Sequence, residues 1–555
     1  MIPRMKIRLG RTAAAAVVLA VTASGFVFGE MHAHAQTPSG QAAFGPAKVG
    51  PPMEITWQQG PAKPPATRRR PNIVLIVADD LGYNDLTVNG GGVAGGAVPT
   101  PNIDSIAREG VNFAQGYAGH GTCAPSRAAI LTGRYPTRFG FEFTPAPPAL
   151  GKSMRTFNYG IHNGVSFPER EKDMIPFAKM GLPQSEITIA ELLQDVGYHT
   201  LHFGKWHLGE SQEFGATKRG FNESLLTSGS MFLPKEDPRV VNSMQDFDPI
   251  DRFLWASMPF YAQKDGGPGF QPKAYLTDYV TDEVVKAIHA NRNRPFFAYL
   301  AYNAPHTPLQ ATKADYDALS HIQDHRMRVY AAMIRALDRG VGRVLQQLEQ
   351  DGLTNDTLVI FVSDNGGAGY VGLPDLNRPF RGWKLTYFEG GIRTPYLMRW
   401  PAAIPAGRTY RAPVSHFDIF ATAAAAANVA LPKDRVIDGV NLVPHVTGKA
   451  RGRPHENLFW RSGDYRVVRA GDWKLQVTDR PNKDWLFDLA NDPTERINMA
   501  AAMPDKVAEL KRLLARHNAA QAKPLWPQLG QSPVMLDHTL AEPQTLKDEY
   551  VYWGG

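Results

Sequence analysis

Cysteine is all but missing: Cys123 carries the one thiol in 555 residues. A chain with a single cysteine cannot close an internal disulfide, so its stability must come from burial and backbone hydrogen bonding. Long apolar runs are scarce too. Beyond the N-terminus no stretch reaches the roughly 20 apolar residues that a membrane-spanning helix needs. Extended blocks of lysine or arginine are absent, as are RNA-binding motifs, which removes the footprint of a nucleic-acid binder. No tandem repeat is visible. Charged residues make up 20% and hydrophobic residues 43%, a balance that permits a packed core.

The N-terminus is the exception. Arg4, Lys6, Arg8 and Arg11 precede an Ala- and Val-rich run from Thr12 to Gly29, and Ala33-His34-Ala35 follows. A basic start, a short apolar core and an A-x-A site describe a secretory signal peptide over residues 1–35. An uncleaved membrane anchor is the alternative. Cleavage would leave no stable membrane insertion and an exported protein, in a bacterial periplasm or secreted. It would also lower the formal charge from +7 to +4, a mild excess compatible with an anionic substrate.

Residues 36–70 are rich in Pro, Gly, Ala and Gln and read as a tether or surface wrap. The style then changes. Asn72 to Ala78 is continuously apolar and β-branched, the mark of a strand covered on both faces. It ends at Asp79-Asp80. Phe296 to Tyr302 runs similarly into Pro305-His306, Leu358 to Val362 into Asp364-Asn365-Gly366-Gly367, and His199 to Phe203 into Gly204-Lys205-Trp206-His207. Helical patterns lie between, one from Ile187 to Val196 with Ser185 as N-cap and Gly197 as stop, another with Met333, Leu337, Val341, Val344 and Leu348 at helical spacing. Strands alternating with helices imply an α/β catalytic domain over 71–450. Residues 141–183 lack periodicity and read either as an insertion shaping a pocket or as a plain surface excursion. From about Pro454, short strands with turn signals predict a smaller α+β subdomain over 451–555, an antiparallel sheet followed by a helix from Asp505 to His517. The tail after Lys523 reads as mostly irregular.

The polar residues sit where apolar strands stop. In an open α/β sheet, ligands bind at the carboxyl ends of the strands. Four strands would therefore deliver Asp, Asn, Lys and His to one crevice. Taken singly these residues have ordinary explanations: Asp79-Asp80 as a helix cap, Asp364-Asn365-Gly366-Gly367 as a turn, Lys205 and Lys384 as solvated surface lysines, Cys123 as a small buried hydrophobe.

The run from Cys123 to Arg134, CAPSRAAILTGR, changes that weighing. It resembles the signature of the formylglycine-dependent (type I) sulfatases, C-x-P-S-R followed by L-T-G-R, at all eight fixed positions. Asp79-Asp80, Gly204 to Gly209, Pro305-His306, Asp364 to Gly367, and Lys384 with Glu389-Gly390-Gly391 resemble further family blocks in family order. The style is closest to the arylsulfatase and N-acetylgalactosamine-sulfatase branch. The resemblance covers roughly residues 71–500. It implies an alkaline-phosphatase-like fold, a central mixed sheet flanked by helices.

By that resemblance a maturation enzyme oxidises Cys123 to formylglycine, whose hydrate is a geminal diol. One diol oxygen attacks the sulfur of a sulfate monoester, of a carbohydrate or an aryl alcohol. The alcohol leaves, the second hydroxyl loses its proton, and sulfate departs. Asp79, Asp80, Asp364 and Asn365, with residue 123, would hold a hard divalent cation; three carboxylates and an amide oxygen suit Ca2+, with Mg2+ the alternative. Lys205, His306 and Lys384 would hold sulfate oxygens, with His306 or Lys384 protonating the leaving alcohol and His207 taking the proton from the diol. Arg127 returns to the face of Cys123 on a helix beginning near Ala124 and would steady the ionised diol. Pro125 fits that helix's first turn, whose N-terminus favours an anion. Arg381 and Trp383 are candidate sugar contacts. The runner-up is a phosphonate or phosphate ester hydrolase of the same superfamily, opposed by Lys205, His207 and Asn365. A non-catalytic protein with a decayed site would lack one of these residues.

Overall fold

Asn72–Ala78 (β1) is buried at every residue, and its side chains alternate between two cores. Val74, Ile76 and Ala78 pack on one face of the sheet; Ile73, Leu75 and Val77 pack on the other. That is why the run is unbroken in hydrophobicity: a strand covered on both sides has no polar face to show. The computed structural model describes residues 44–46, 48–64 and 70–554. The signal-peptide reading lies outside the described residues.

Next in the chain come the helices α1 (Cys123–Thr132) and α2 (Pro148–Thr156), then strand β2 (His199–Gly204) and helix α3 (Pro249–Ser257). Strand β3 (Phe296–Ala301), the long helix α4 (His325–Gln350), and strands β4 (Thr357–Ser363) and β5 (Tyr396–Arg399) complete the centre. The strand order there is β2-β3-β1-β4-β5 within a sheet of 11 strands among the described residues. β2, β3, β1 and β4 run parallel and β5 is antiparallel to β4, so the sheet is mixed. The helix Leu276–Asn291 and α4 cover one face; α1, Ile189–Gln194 and Asp418–Ala426 cover the other. Each fully buried Ile, Leu or Val contributes about 1.5–3 kcal/mol, so the two-sided core is the main source of stability that the missing disulfide cannot supply.

Beyond the catalytic sheet, β6 (Asn457–Ser462), β7 (Tyr465–Ala470), β8 (Trp473–Asp479) and β9 (Asn482–Asp488) form an antiparallel sheet in sequence order. Helix α5 (Pro504–Ala519) covers one face. The other face shares a core with Tyr117, Tyr387 and Phe388 from the catalytic part.

Three segments differ from their sequence reading. The 141–183 stretch contains α2, which packs against α3. The tail after Lys523 carries β10 (Gly530–Met535) and β11 (Tyr550–Trp553), which pair antiparallel. Pro533 and short length hid the strand pattern. The helix expected from Ile187 is Ile189–Gln194, capped by Thr188 rather than Ser185, in a reciprocal capping box with Glu191. Of the two readings of residues 36–70, the described part follows the surface wrap: Val49–Gly50 extends the sheet's edge and Trp57 is buried.

Candidate active site

The carboxyl ends of β1, β2, β3 and β4 open on one crevice. β1 releases Asp79 and Asp80, β2 releases Lys205 and His207, β3 leads to His306, and β4 releases Asp364 and Asn365. Asp80 and His207 both take left-handed backbone, at φ 63° and φ 61°. Non-glycine residues hold that conformation only where surroundings enforce it, at a cost of about 1–3 kcal/mol each. Both turns aim a side chain into the crevice.

Cys123 sits at the start of α1, with its Sγ 3.8 Å from Asp80 Oδ1. One turn on, Arg127 is wholly buried, as the four-residue spacing requires. Its Nε donates to Asp364 Oδ2 at 2.9 Å and its Nη1 to the Lys205 carbonyl at 3.2 Å, while Nη2 stands 2.7 Å from Asp364 Oδ2. Lys205 Nζ donates to Asp79 Oδ2 at 2.6 Å. Lys384 Nζ lies 2.8 Å from each Asp80 oxygen. His306 Nε2 is 3.5 Å from Asp80 Oδ2.

Burial opposes ionisation of Asp80, yet Lys384, His306 and Lys205 hold its carboxyl below the usual carboxylate range. Burial likewise opposes the charge on Lys205 and Lys384, and the facing aspartates outweigh it, so both ammonium groups stay charged. His306 goes the other way. Burial, reinforced by Lys384 and Lys205, draws it down to about 3 against the pull of Asp80. His207 is pushed well down by burial and by Lys205 and Arg127. Both imidazoles are therefore neutral. Burial raises the Cys123 thiol, so the unmodified side chain is a poor nucleophile at neutral pH.

Ligand atoms of Asp79, Asp80, Cys123 and His306 lie within 4.8 Å of one another. Asp364 stands behind them, its Oδ1 accepting the Asp80 N–H at 3.2 Å, and Asn365 Nδ2 donates to Asp80 Oδ1 at 2.8 Å. Two buried oxygens, Asp79 Oδ1, which has Arg127 Nη2 3.5 Å away, and Asn365 Oδ1, receive no hydrogen bond. Buried acceptors without donors are costly, and a cation satisfies them. An oxygen-rich set of this kind fits a hard divalent ion.

The residues expected at the site are thus brought together. Arg381 is not among them: its guanidinium is spent on Asp537 and Glu549. Trp383 lines a neighbouring cavity. Tyr370 escaped the sequence reading. Its hydroxyl donates to Asp80 Oδ2 at 2.9 Å and accepts from Lys384 Nζ at 3.0 Å. It lies in the Gly-rich stretch after Asp364, and one tyrosine there carries no pattern that would single it out.

A mixed sheet that gathers buried cations and oxygen ligands at its carboxyl edge is the arrangement that the resemblance implied, an alkaline-phosphatase-like hydrolase. Comparison with known proteins narrows this. The family model described as Sulfatase matches residues 71–429, and that described as N-sulphoglucosamine sulphohydrolase, C-terminal, matches residues 382–521. N-acetylgalactosamine-6-sulfatase of Homo sapiens is 34% identical over 498 residues, spanning 83% of this chain and 88% of that protein. Steryl-sulfatase of Mus musculus is 31% identical over 581 residues, spanning 87% of each. The crystal structure of Ps i-CgsB in complex with k-i-k-neocarrahexaose superposes with a TM-score of 0.68 at 30% identity, covering 82% of this chain and 95% of that one. The chain belongs to the sulfatase family and is an enzyme that hydrolyses sulfate esters.

Proposed function

We propose that residue 123, as formylglycine, is the nucleophile of sulfate monoester hydrolysis, and that Asp79, Asp80, Asp364 and Asn365 hold Ca2+ beside it. The observation that carries this reading is the position of Cys123, at a helix N-terminus, 3.8 Å from Asp80 inside the oxygen cluster. Burial raises the thiol of Cys123, so the unconverted side chain is not poised for thiolate chemistry of its own. When bound, the cation supplies positive charge against sulfate and nucleophile oxygens, and the hydrated aldehyde supplies the attacking hydroxyl.

The chain's own residues do the rest. Lys205 and Lys384, held charged by aspartates, bind sulfate oxygens and need no reorganisation as charge develops. Arg127 and the first turn of α1 steady negative charge at residue 123. His207 is neutral and its buried Nδ1 finds no hydrogen-bond partner, which leaves a lone pair for the diol proton; with its basicity lowered by burial and Lys205, the ring would pass that proton on rather than keep it. The leaving oxygen receives its proton from His306 or Lys384; Lys384 is the one that carries a proton at neutral pH. Asn365, an amide, and the Lys205/His207 pair support sulfate over phosphonate or phosphate. Export to a periplasm or beyond rests on the signal-peptide pattern; among the described residues no helix is long and apolar enough to cross a membrane.

The test is product release by protein made with its maturation enzyme and calcium, using an aryl sulfate and the matching phosphonate and phosphate. Sulfate release should dominate by orders of magnitude, and Cys123→Ala should abolish it. Dominant phosphonate turnover, or full activity in the Cys123→Ala variant, would refute the assignment.

A further inference from the structure

We propose that the alcohol half of the substrate is an uncharged, predominantly apolar ring system, an aryl or alicyclic alcohol, and not a polyanionic glycan. This rests on the sulfate-ester reading above and deepens it.

The cavity that contains Cys123, Lys205, His207, His306 and Lys384 measures about 170 Å³. Its floor is polar and its collar is not. Phe44, Leu150, Met154, Ile250, Leu254 and Met258 surround the mouth. Leu150 and Met154 come from α2, Ile250 and Leu254 from α3, and most of the collar belongs to one apolar cluster. The 141–183 stretch, read from sequence as either a pocket-shaping insertion or a surface excursion, thus supplies a third of the collar.

The polar residues lining this cavity are largely turned inward. Ser228 Oγ accepts the Trp206 N–H, and Ser230 Oγ donates to the Met231 carbonyl. Asn303 is bonded to Thr227 through both its oxygen and its nitrogen. The Thr307 hydroxyl donates to Asp251, and Thr122 Oγ1 is paired with His120 Nδ1 at 2.8 Å. Thr144 and Glu210 are left as polar wall groups. A sugar ring would bury several hydroxyls here with few partners, and each unpaired buried polar group is costly.

A second cavity of about 540 Å³ shares Met154, Ile250, Tyr370, Lys384 and Leu385 with the first. Phe157, Ile161, Trp383, Val534, Met535 and Leu540 form much of its wall. The two together give room for a multi-ring alcohol. No arginine is among the described residues lining either cavity, and the lysines there are Lys205 and Lys384, both already set against Asp79 and Asp80. Asp248 and Glu542 line the second cavity. A glycan with further sulfates or carboxylates would meet the Glu542 carboxyl and find as counter-charge on that wall His538, already set against Asp548 at 2.9 Å; Asp248 is taken up in capping α3, and burial pushes it toward its neutral form. An apolar ring gains about fourfold in binding for each methylene it buries.

The test compares cyclohexyl sulfate, a monosaccharide sulfated on a secondary hydroxyl, a disulfated uronate-containing disaccharide, and methyl sulfate, using the matured calcium-loaded protein. All are alkyl esters, so a phenol's acidity does not decide the ranking. We expect kcat/KM for cyclohexyl sulfate at least about tenfold above the monosaccharide, with the disaccharide lowest. Leu254→Asn should lower the cyclohexyl-to-methyl ratio about tenfold, and Leu254→Met should largely keep it. That ratio does not depend on how much of a variant is folded. Preference for either sugar substrate, or an unchanged ratio in Leu254→Asn, overturns the proposal while sulfate hydrolysis stands. No sulfate release from any ester would instead overturn the reading beneath it.

Discussion

Tyr370 shows how one side chain outside every motif can matter as much as those inside them. Its hydroxyl braces the direct Lys384–Asp80 pair, accepting from the ammonium at 3.0 Å and donating to the carboxylate at 2.9 Å. Phenylalanine would keep the ring and remove the brace, leaving Lys384 and Asp80 in contact at 2.8 Å with one hydrogen bond fewer each. A hydrogen bond to a charged group is worth about 1.5–3 kcal/mol, so Tyr370→Phe should lower kcat/KM about tenfold or more. It should also raise the concentration of the proposed Ca2+ needed for half-maximal activity. Sulfate release across a calcium titration measures both. A variant within about twofold of wild type on both counts would show that the direct Asp80–Lys384 contact suffices without the hydroxyl. The metal and nucleophile candidates were legible because each sits in a short block with fixed spacing. Tyr370 was not, because its role comes from folding the stretch after β4 back over Asp80.

At the scale of elements, one glycine separates steric demand from backbone preference. Gly204 ends β2 at φ 97°, and a Cβ there would stand 1.9 Å from the Ala301 carbonyl oxygen of β3. Gly197 has a similar φ of 87° with nothing within 4 Å. Gly197→Ala should therefore cost about 1 kcal/mol, the left-handed penalty alone. Gly204→Ala must also part β2 from β3 where Lys205 leaves the sheet, and should cost about 3 kcal/mol or more, read as a shift in the urea midpoint. It should reduce sulfate release well beyond its loss of folded protein, because Lys205 would lose its register with Asp79. Equal costs for the two variants would mean that the β2–β3 junction relaxes freely. The strands themselves were readable from sequence because two-sided burial leaves an unbroken apolar run. The α2 turn-rich stretch and the β10–β11 tail were not. α2 packs against α3 and against β10, and β10 also pairs with Val165–Ser166, so their partners come from distant parts of the chain and nothing local gives them a period.

For the whole molecule, the decisive contact is the junction between the catalytic sheet and the C-terminal sheet, where Lys474 on β8 meets Glu389 at 2.9 Å and Glu495 at 3.0 Å, all fully buried. One lysine cannot neutralise two carboxylates equally. Glu389 also has Arg393 at 3.3 Å and the Tyr117 hydroxyl at 2.7 Å. Burial opposes its charge, but Lys474, Arg393 and Arg469 hold its pKa down to about 2. Burial raises Glu495 to about 7, with Lys474 easing the rise and Glu389 adding to it. The two act on stability in opposite directions. The Glu389 contribution is complete above the ordinary glutamate range and fades as pH falls toward 2. Glu495 keeps a proton when folded that the unfolded chain has released, so its contribution is complete below about 4.5 and is lost as pH climbs through 7. Glu495→Gln removes that second titration. Whatever its offset at pH 5, its melting temperature should gain on wild type between pH 5 and pH 8, by about 2 °C or more. Parallel melting curves across that range would show that Glu495 is ionised throughout and that the junction carries a full extra negative charge. A widening gap would mean that the docking of the C-terminal sheet, which also sets the wall behind Tyr387 and Phe388, weakens as the medium turns alkaline.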